Sequence, residues 1–169
     1  MTELAGILCE LVFPNFRYKW VFEETIEKLP LEMDFRLEAK NCKRCGEIFD
    51  GHPRIKVPKV YDEFTRERIL VMEFMSGVNV TKLNEMQRKG IDLRKTAHTI
   101  SEAFTHMIYR EGFVHGDPHP GNMLVRKKEG GKSDDLELVL LDHGIYSHLP
   151  NETRLAYTQL WRGMLFQDE

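Results

Sequence analysis

The amino-acid sequence predicts an α+β fold, and two features of its hydrophobic pattern support this prediction. Over long stretches, apolar residues recur at intervals of three and four, which is typical of amphipathic helices. Between those stretches lie shorter runs rich in β-branched and aromatic residues, separated by polar turns as in β-hairpins. The resulting order is helices, hairpin, helix, hairpin, helix, an α+β arrangement.

The first part of the chain contains three predicted helices followed by a hairpin. Each helix ends at a proline or at a cluster of turn residues. The helices are predicted over residues 4–12, 20–29 and 34–49. Two strand-like runs follow at 55–61 and 68–74, and the polar segment between them predicts an antiparallel hairpin.

The second part contains the clearest helix, a second hairpin and a final helix. Asp92 is predicted as the N-cap of the clearest helix and Gly112 as its C-terminal stop. Short apolar runs follow at 113–114, 123–125 and 138–141, and the last two flank a polar, Gly-rich stretch as in a hairpin. A final helix is predicted after Pro150, and Phe104 and Trp161 are expected in the core.

The composition is that of a soluble globular protein. The chain has 169 residues, of which 41% are hydrophobic and 30% charged, enough to form one buried core. Its 24 basic and 27 acidic residues give a formal net charge of −3, which argues against a dedicated nucleic-acid-binding protein because phosphate neutralisation requires surplus Lys and Arg. No apolar run approaches the ~18 residues that span a bilayer, and no signal or transit peptide is visible.

The three cysteines do not indicate a disulfide-rich protein. Cys42 and Cys45 form a single Cys-x-x-Cys, whereas a structural zinc site requires a second such pair. Their spacing places both on one face of the third helix, which favours a role as small apolar core residues over metal or redox chemistry.

Most of the chemically informative residues lie in two short segments. Residues 114–125 read Val-His-Gly-Asp-Pro-His-Pro-Gly-Asn-Met-Leu-Val, and 140–144 read Leu-Leu-Asp-His-Gly. Two prolines and two glycines make the first a rigid loop that presents Asp117, His119 and Asn122, and Asp142 arrives at the end of the paired strand. Phosphoryl transfer from Mg-ATP needs one carboxylate at the nucleophile and an amide and a second carboxylate at the metal.

The spacing of these residues matches that of kinases. Asp117 precedes Asn122 by five residues, and a hairpin then leads to Asp142-His143-Gly144 in the place of Asp-Phe-Gly. Gly116 stands where protein kinases have the arginine of His-Arg-Asp, and His-Gly-Asp hints at a small-molecule substrate. His143 replaces the phenylalanine and is expected to pack.

These motifs resemble the UbiB family, the aarF-domain-containing atypical kinases. His-Gly-Asp-Pro-His-Pro-Gly-Asn with Leu-Leu-Asp-His-Gly is characteristic of that family, and residues 29–41 resemble its Glu-x-Asp motif and following helix. The resemblance extends from about residue 13 to the C-terminus and is closest to the mitochondrial aarF-domain group.

The resemblance implies a partial protein-kinase-like fold. Residues 1–75 would form part of an N-lobe, with an αC-type helix, a hairpin and the hinge, and residues 76–169 part of a C-lobe. By position in the family motifs, Asp117 is the catalytic-loop aspartate, Asn122 and Asp142 are the metal ligands, and Glu38 is the αC-type glutamate. The implied nucleotide-binding residues are Glu38, Glu32 and Asp34 of the Glu-x-Asp motif, and Glu73 and Met75 of the hinge.

Charge spacing in the third helix gives an independent indication. Asp34 and Glu38 lie four residues apart and repel by a few tenths of a kcal/mol, with no Lys or Arg three or four residues away in the helix. A cation from elsewhere would relieve this repulsion, and in a kinase fold that cation is the β3 lysine. The alternative is a solvated acidic face.

Two family elements have no counterpart in this sequence. There is no Gly-rich or Ala-rich phosphate loop and no β3 lysine upstream of Glu38. We therefore expect an internal fragment or truncated form of a longer family member, with weak nucleotide affinity.

Three functions are compatible with these residues. The first is a UbiB-type kinase or ATPase that uses ATP and Mg²⁺, and the second is a catalytically inactive, pseudokinase-like binding module. The third is a metal hydrolase that uses His115, Asp117 and His119 as ligands, although it leaves Asn122 and Asp142 unexplained. The resemblance implies a mitochondrial location, a link to lipid or coenzyme Q metabolism, and a nucleotide, an isoprenoid lipid or a membrane surface as partner.

Overall fold

The computed structural model describes residues 34–128, 130 and 135–166. The helices predicted at 4–12 and 20–29, and Glu32, lie outside these ranges.

The described chain forms four α-helices, six β-strands, a π-helical turn and a 3₁₀ turn. The helices are α1 (Phe35–Ile48), α2 (Leu83–Arg88), α3 (Leu93–Thr105) and α4 (Asn151–Phe166); the π turn is His106–Glu111 and the 3₁₀ turn Pro120–Asn122. The strands are β1 (Ile55–Lys56), β2 (Val78–Asn79), β3 (Phe113–His115), β4 (Met123–Lys127), β5 (Leu136–Leu140) and β6 (Tyr146–His148).

The second predicted hairpin is the centre of a four-stranded sheet. β4 and β5 pair antiparallel, with Met123 opposite Leu140 and Lys127 opposite Leu136. β2 pairs antiparallel with β4, and β1 pairs parallel with β5, which gives the order β1-β5-β4-β2. A separate two-stranded sheet joins β3 to β6, with His115 opposite Tyr146. This small sheet brings the loop that contains Asp117 beside the segment that follows Asp142.

The first predicted hairpin is much shorter than its sequence pattern suggested. Segments 59–61 and 71–73 meet antiparallel through an isolated bridge between Val60 and Met72 and two hydrogen bonds, from Tyr61 N to Val71 O (2.9 Å) and from Glu73 N to Lys59 O (2.7 Å). Upstream, Ile55 and Lys56 pair with β5 instead. Pro58 separates the two pairings because it has no N–H to donate to a strand ladder.

The clearest predicted helix is present, but its last turns are not α-helical. Asp92 caps α3 by accepting a hydrogen bond from Lys95 N (2.9 Å). After Thr105 the chain continues as a π turn, and it ends at Gly112, whose φ is 62°. The predicted cap and stop are therefore confirmed, and the π turn sets the start of β3.

The main hydrophobic core joins α1, α3 and the central hairpin. Its buried members are Cys45, Phe49, Ile55, Ala103, Met107, Met123, Leu138 and Leu140, with Phe104 packed against them. The predicted role of Cys42 and Cys45 is confirmed, because both are buried, unpaired thiols. Burial raises the pKa of Cys42 to about 12 and that of Cys45 to about 11.

Helix α4 contributes no side chain to this core. Trp161 is 40% exposed, so the prediction that it lies in the core was wrong. Its ring packs edge-on against Tyr157, which stacks on Tyr109 of the π turn. None of the helices in the described ranges has both the length and the hydrophobicity that crossing a bilayer requires.

Candidate active site

The central hairpin places Asn122 and Asp142 at the same end of two paired strands. Asn122 closes the 3₁₀ turn directly before β4, and Asp142 follows β5 by two residues. Leu141 N donates to Asn122 O (3.0 Å), so the pairing continues past the strand ends. The two side chains meet there: the amide of Asn122 donates to Oδ2 of Asp142 at 2.9 Å. The other carboxylate oxygen accepts from Gly144 N, also at 2.9 Å.

His115 connects the loop that contains Asp117 to the segment that contains Asp142. Its ring is buried, with Nε2 2.7 Å from Asp142 O and Nδ1 3.1 Å from Asp117 N. Because a carbonyl only accepts and a backbone N–H only donates, we assign the Nε2–H tautomer. Asp117 itself is exposed to solvent. The sequence indicates His115 only as a candidate metal ligand, and no sequence signal reveals its bridging position.

The metal-hydrolase alternative finds no support in this geometry. Both ring nitrogens of His115 face the chain rather than a shared metal position. Nδ1 of His119 accepts from Gly121 N at 3.0 Å. In the ranges that the structure covers, no three His, Cys, Asp or Glu side chains are grouped to hold a metal ion.

Gly116 occupies a position with no space for a side chain. Its N–H donates to Ile145 O at 2.8 Å. A Cβ built on Gly116 would lie 2.6 Å from Cγ2 of Ile145. The arginine of His-Arg-Asp is therefore excluded here by the close approach of the two segments.

Glu38 of α1 is half-buried beside the Asp142 segment. Its Oε1 lies 3.4 Å from His143 N. Burial, followed by the nearby charge of Asp142, raises the pKa of Glu38 despite that hydrogen bond. Within the described ranges, no Lys, Arg or His forms an ion pair with Glu38, so the cation expected for it is not among these residues.

Asp34, in contrast, has a cation from its own helix. It is the N-cap of α1, and its carboxylate accepts from the backbone and the guanidinium of Arg36, with Nη2 to Oδ2 at 2.7 Å. This hydrogen bond holds the pKa of Asp34 below its ordinary value. The expectation that relief must come from outside the helix was therefore wrong for Asp34, because an N-cap side chain folds back to reach a residue two positions on.

At the predicted hinge, two backbone groups have no hydrogen-bond partner among the described residues. Glu73 N donates to Lys59 O, and the Glu73 carboxylate accepts from Lys59 N at 3.2 Å. No hydrogen bond within the described chain engages Glu73 O or Met75 N. The Met75 side chain is buried.

The ring of His143 is buried and has a hydrogen-bond partner at each nitrogen. Its ring is 1% exposed, with Nε2 3.1 Å from Leu140 O and Nδ1 2.9 Å from the Tyr146 hydroxyl. Burial lowers the pKa of His143 to about 4 and raises that of Tyr146. The expected packing role is present, but the hydrogen bonds of the ring and the part played by Tyr146 gave no signal in the sequence.

A model of a known protein family matches this chain. The ABC1 atypical kinase-like domain matches residues 1–169. The chain belongs to the ABC1 atypical kinase-like family. This confirms the resemblance on which the kinase-like interpretation was based.

Curated relatives of this ABC1 domain are considerably longer than the chain. It is 40% identical over 166 residues to an AarF domain-containing kinase 1 from Drosophila melanogaster, covering 98% of this chain and 32% of that protein. It is 41% identical over 170 residues to a probable serine/threonine-protein kinase, abkB, from Dictyostelium discoideum, covering 99% of this chain and 25% of that protein. The chain thus spans about a third or less of these relatives.

A solved structure has the same fold. The complex of Rv3197 with erythromycin from Mycobacterium tuberculosis matches the ABC1 domain with a TM-score of 0.67 and 26% sequence identity. The match covers 98% of this chain and 41% of that one. The partial kinase-like α+β fold predicted from the sequence is therefore confirmed.

Proposed function

We propose that Asp117, Asn122 and Asp142 form a Mg-ATP site for phosphoryl transfer or ATP hydrolysis. The observation that supports this most directly is the 2.9 Å contact between the Asn122 amide and the Asp142 carboxylate. Asn122 and Asp142 lie at the two ends of the hairpin, and their side chains meet there. Asp117 lies five residues before Asn122 on the same loop. Membership of a kinase-like family favours a nucleotide as the ligand at that point.

The donor set at this point fits Mg²⁺. Carboxylate and amide oxygens are the protein ligands that this hard cation prefers, and it keeps its remaining positions for water and phosphate oxygens. Asn122 would present Oδ1, which accepts no hydrogen bond from the described residues, and Asp142 would present its carboxylate. When bound, Mg²⁺ neutralises charge on the phosphates of the nucleotide.

Asp117 would act on the nucleophile. Its carboxylate is exposed on the same loop as Asn122, so an acceptor hydroxyl or a water molecule can reach it. In the proposed reaction Asp117 orients that hydroxyl and accepts its proton. His115 maintains the spacing between the two acids, because it binds the backbone of both Asp117 and Asp142.

The remaining site residues would bind the nucleotide. The Glu73 carbonyl and the Met75 N–H have no hydrogen-bond partner among the described residues. We assign them to the adenine edge, as the acceptor and donor pair that a purine requires. Glu38 would hold a cationic group close to the phosphates, and Glu32 and Asp34 would lie near the nucleotide. In this scheme residues 1–75 belong to an N-lobe and residues 76–169 to a C-lobe.

A catalytically inactive, pseudokinase-like module is the second candidate. The observation that favours it is the absence of any ion pair for Glu38 among the described residues. Such a module would bind a nucleotide without turnover, or bind a partner without any nucleotide. It would keep the Asn122–Asp142 contact as a structural feature.

The two candidates are separated by measuring binding and turnover on the same samples. Calorimetry with a non-hydrolysable ATP analogue, with and without Mg²⁺, tests the site, and an assay for inorganic phosphate tests hydrolysis. We expect Mg²⁺-dependent binding that Asp142→Asn abolishes. Binding without turnover would favour the module, and no binding by a folded sample would reject the nucleotide site.

The cellular role is proposed from the family alone. We propose that the protein acts in mitochondria, on or near lipid or coenzyme Q metabolism, with an isoprenoid lipid or a membrane surface as a further partner. Fractionation of cells that express the tagged protein tests the location. Recovery outside the mitochondrial fraction would reject it.

A further inference from the structure

The segment around Asp142 contains a buried histidine that the proposed reaction does not use. His143 is 1% exposed, yet its polar groups all have partners. Its ring binds Leu140 O and the Tyr146 hydroxyl. Its backbone N–H points at Glu38 (3.4 Å), and its carbonyl accepts from the side-chain amide of Asn41 (3.0 Å).

The ring contacts define one tautomer. Leu140 O can only accept, so Nε2 bears the hydrogen and Nδ1 accepts from the Tyr146 hydroxyl. The result is a continuous set of hydrogen bonds from Tyr146 through His143 to Leu140 at the end of β5. Buried networks in which every member is satisfied hold their members in a single arrangement.

Stacking fixes the ring of Tyr146 in turn. It lies parallel to His143 at an interplanar angle of 12° and stacks on Phe113 with centroids 4.2 Å apart. The guanidinium of Arg44 covers the Phe113 ring at 4.3 Å. Helix α1 therefore contacts the stacked rings of Tyr146 and Phe113 through Arg44, and it donates a hydrogen bond to the carbonyl of His143 through Asn41.

The residue before His143 is the one that depends on this arrangement. The carbonyl of Asp142 accepts a hydrogen bond from the His115 ring. One of its carboxylate oxygens accepts from Gly144 N, and the other accepts from the Asn122 amide. Its carboxylate can occupy that position only while the backbone on either side of it is fixed. A phenylalanine at residue 143 would fill the same space and could satisfy neither Leu140 O nor the Tyr146 hydroxyl.

We propose that His143 is a positioning residue, whose ring, held by Tyr146 and Leu140, and whose backbone, held by Asn41, fix the carboxylate of Asp142 against Asn122. This inference rests on the proposed function for its consequence, which is that His143 and Tyr146 control how strongly Mg²⁺ and nucleotide bind together. The effect of His143 on the position of the Asp142 carboxylate exists in the free protein and does not depend on the proposed function.

The test uses His143→Phe, Tyr146→Phe and the double variant in this 169-residue chain. Tyr109→Phe is the matched control, because Tyr109 also stacks on another ring, but that ring is Tyr157 of α4 and not a residue of the Asp142 segment. Thermal unfolding establishes that each variant is folded. The double variant removes the unpaired Tyr146 hydroxyl that His143→Phe leaves, and so separates the cost of that hydroxyl from the loss of positioning.

Two readouts follow the carboxylate. In the free protein, hydrogen exchange at Gly144 N–H reports its bond to Asp142. We expect that protection to fall about tenfold in His143→Phe, the factor that one hydrogen bond is worth, and to stay low in the double variant. In calorimetry, the gain in nucleotide affinity on adding Mg²⁺ should fall by a similar factor, while affinity without Mg²⁺ is unchanged.

The outcomes are distinguishable. Unchanged Gly144 protection in folded His143→Phe, or equal loss in Tyr109→Phe, would overturn the inference. Recovery of protection in the double variant would also overturn it, because the unpaired hydroxyl would then be the only cause. If the wild-type chain binds no nucleotide, the proposed function fails and the hydrogen-exchange result still decides the positioning role.

Discussion

The side-chain amide of Asn122 lies 2.9 Å from the carboxylate of Asp142, which is 20 positions further along the chain. The hairpin between them produces this contact, since Met123 pairs with Leu140 and the strands end together. His115 then attaches the same point to Asp117 through its two ring nitrogens. Asp117, Asn122 and Asp142 are thus connected by hydrogen bonds, directly or through His115.

Replacing Asp117 by Asn should separate binding from chemistry. Asp117 is exposed, and its carboxylate forms no hydrogen bond with Asn122 or Asp142, so we expect Mg-nucleotide affinity to be unchanged. Any turnover should fall by at least about 100-fold, the usual contribution of a general base. Calorimetry and phosphate release on the same preparation measure both quantities. A loss of affinity equal to that of Asp142→Asn would show that Asp117 belongs to the metal site instead.

Replacing Gly116 by Ala should destabilise the fold. The new Cβ would lie 2.6 Å from Ile145 Cγ2, and overpacking of this kind costs about 1–3 kcal/mol. Gly46→Ala is the matched control, because its nearest neighbour is Val57 at 3.9 Å and α1 should gain about 0.5–1 kcal/mol. Urea unfolding measures both changes, and equal stability of the two variants would contradict the packing described here.

The buried thiols of α1 should be unreactive in the folded protein. Cys42 and Cys45 are 1% and 0% exposed, and burial raises both pKa values, while only the thiolate attacks a disulfide reagent. In a Cys9→Ser background, we expect no labelling by Ellman's reagent at pH 8 until denaturant is added, and then two thiols. Rapid labelling of the native protein would contradict their burial.

The same thiols predict a pH dependence of stability. Their folded pKa values of about 12 and about 11 lie above the ordinary value of 9.0, so the unfolded chain loses protons first as pH rises. Their contribution is complete below pH 9 and declines as pH rises from 9 towards 11. The free energy of unfolding should therefore fall more steeply over this range than in Cys42→Ala/Cys45→Ala. Parallel pH profiles for the two proteins would rule this out.

The sequence was sufficient for the central hairpin and for α1 and α3. In these elements the hydrophobic period is long, and each end has a recognisable cap or turn, such as Asp92 and Gly112. The sequence did not predict β6 or the π turn, because neither has a distinctive hydrophobic pattern. β6 is Tyr-Ser-His and has no apolar run, and the π turn keeps helical spacing. The parallel pairing of Ile55 with Leu138 depends on residues more than 80 positions apart, which no local pattern records.

The candidate site was predictable to the extent that its chemistry follows motif spacing. Asn122 and Asp142 stand at the two ends of a predicted hairpin, so the contact between them could be expected. The supporting contacts could not be, because they arise where separate elements meet. The Tyr146 hydroxyl contacts the ring of His143 from β6, a strand that forms only by pairing with β3. Asn41, 102 positions away in the sequence, donates to the carbonyl of the same residue.

The most direct test of the central claim is paramagnetic broadening of assigned NMR signals by Mn²⁺ in complex with an ATP analogue. If Asn122 and Asp142 hold the metal, the side-chain amide of Asn122 and the Gly144 amide should broaden at low Mn²⁺, and Asp142→Asn should remove the effect. Signals of α4, such as Trp161, should stay sharp and serve as the internal control. Equal broadening of all these signals, or selective broadening that persists in Asp142→Asn, would contradict the proposed site.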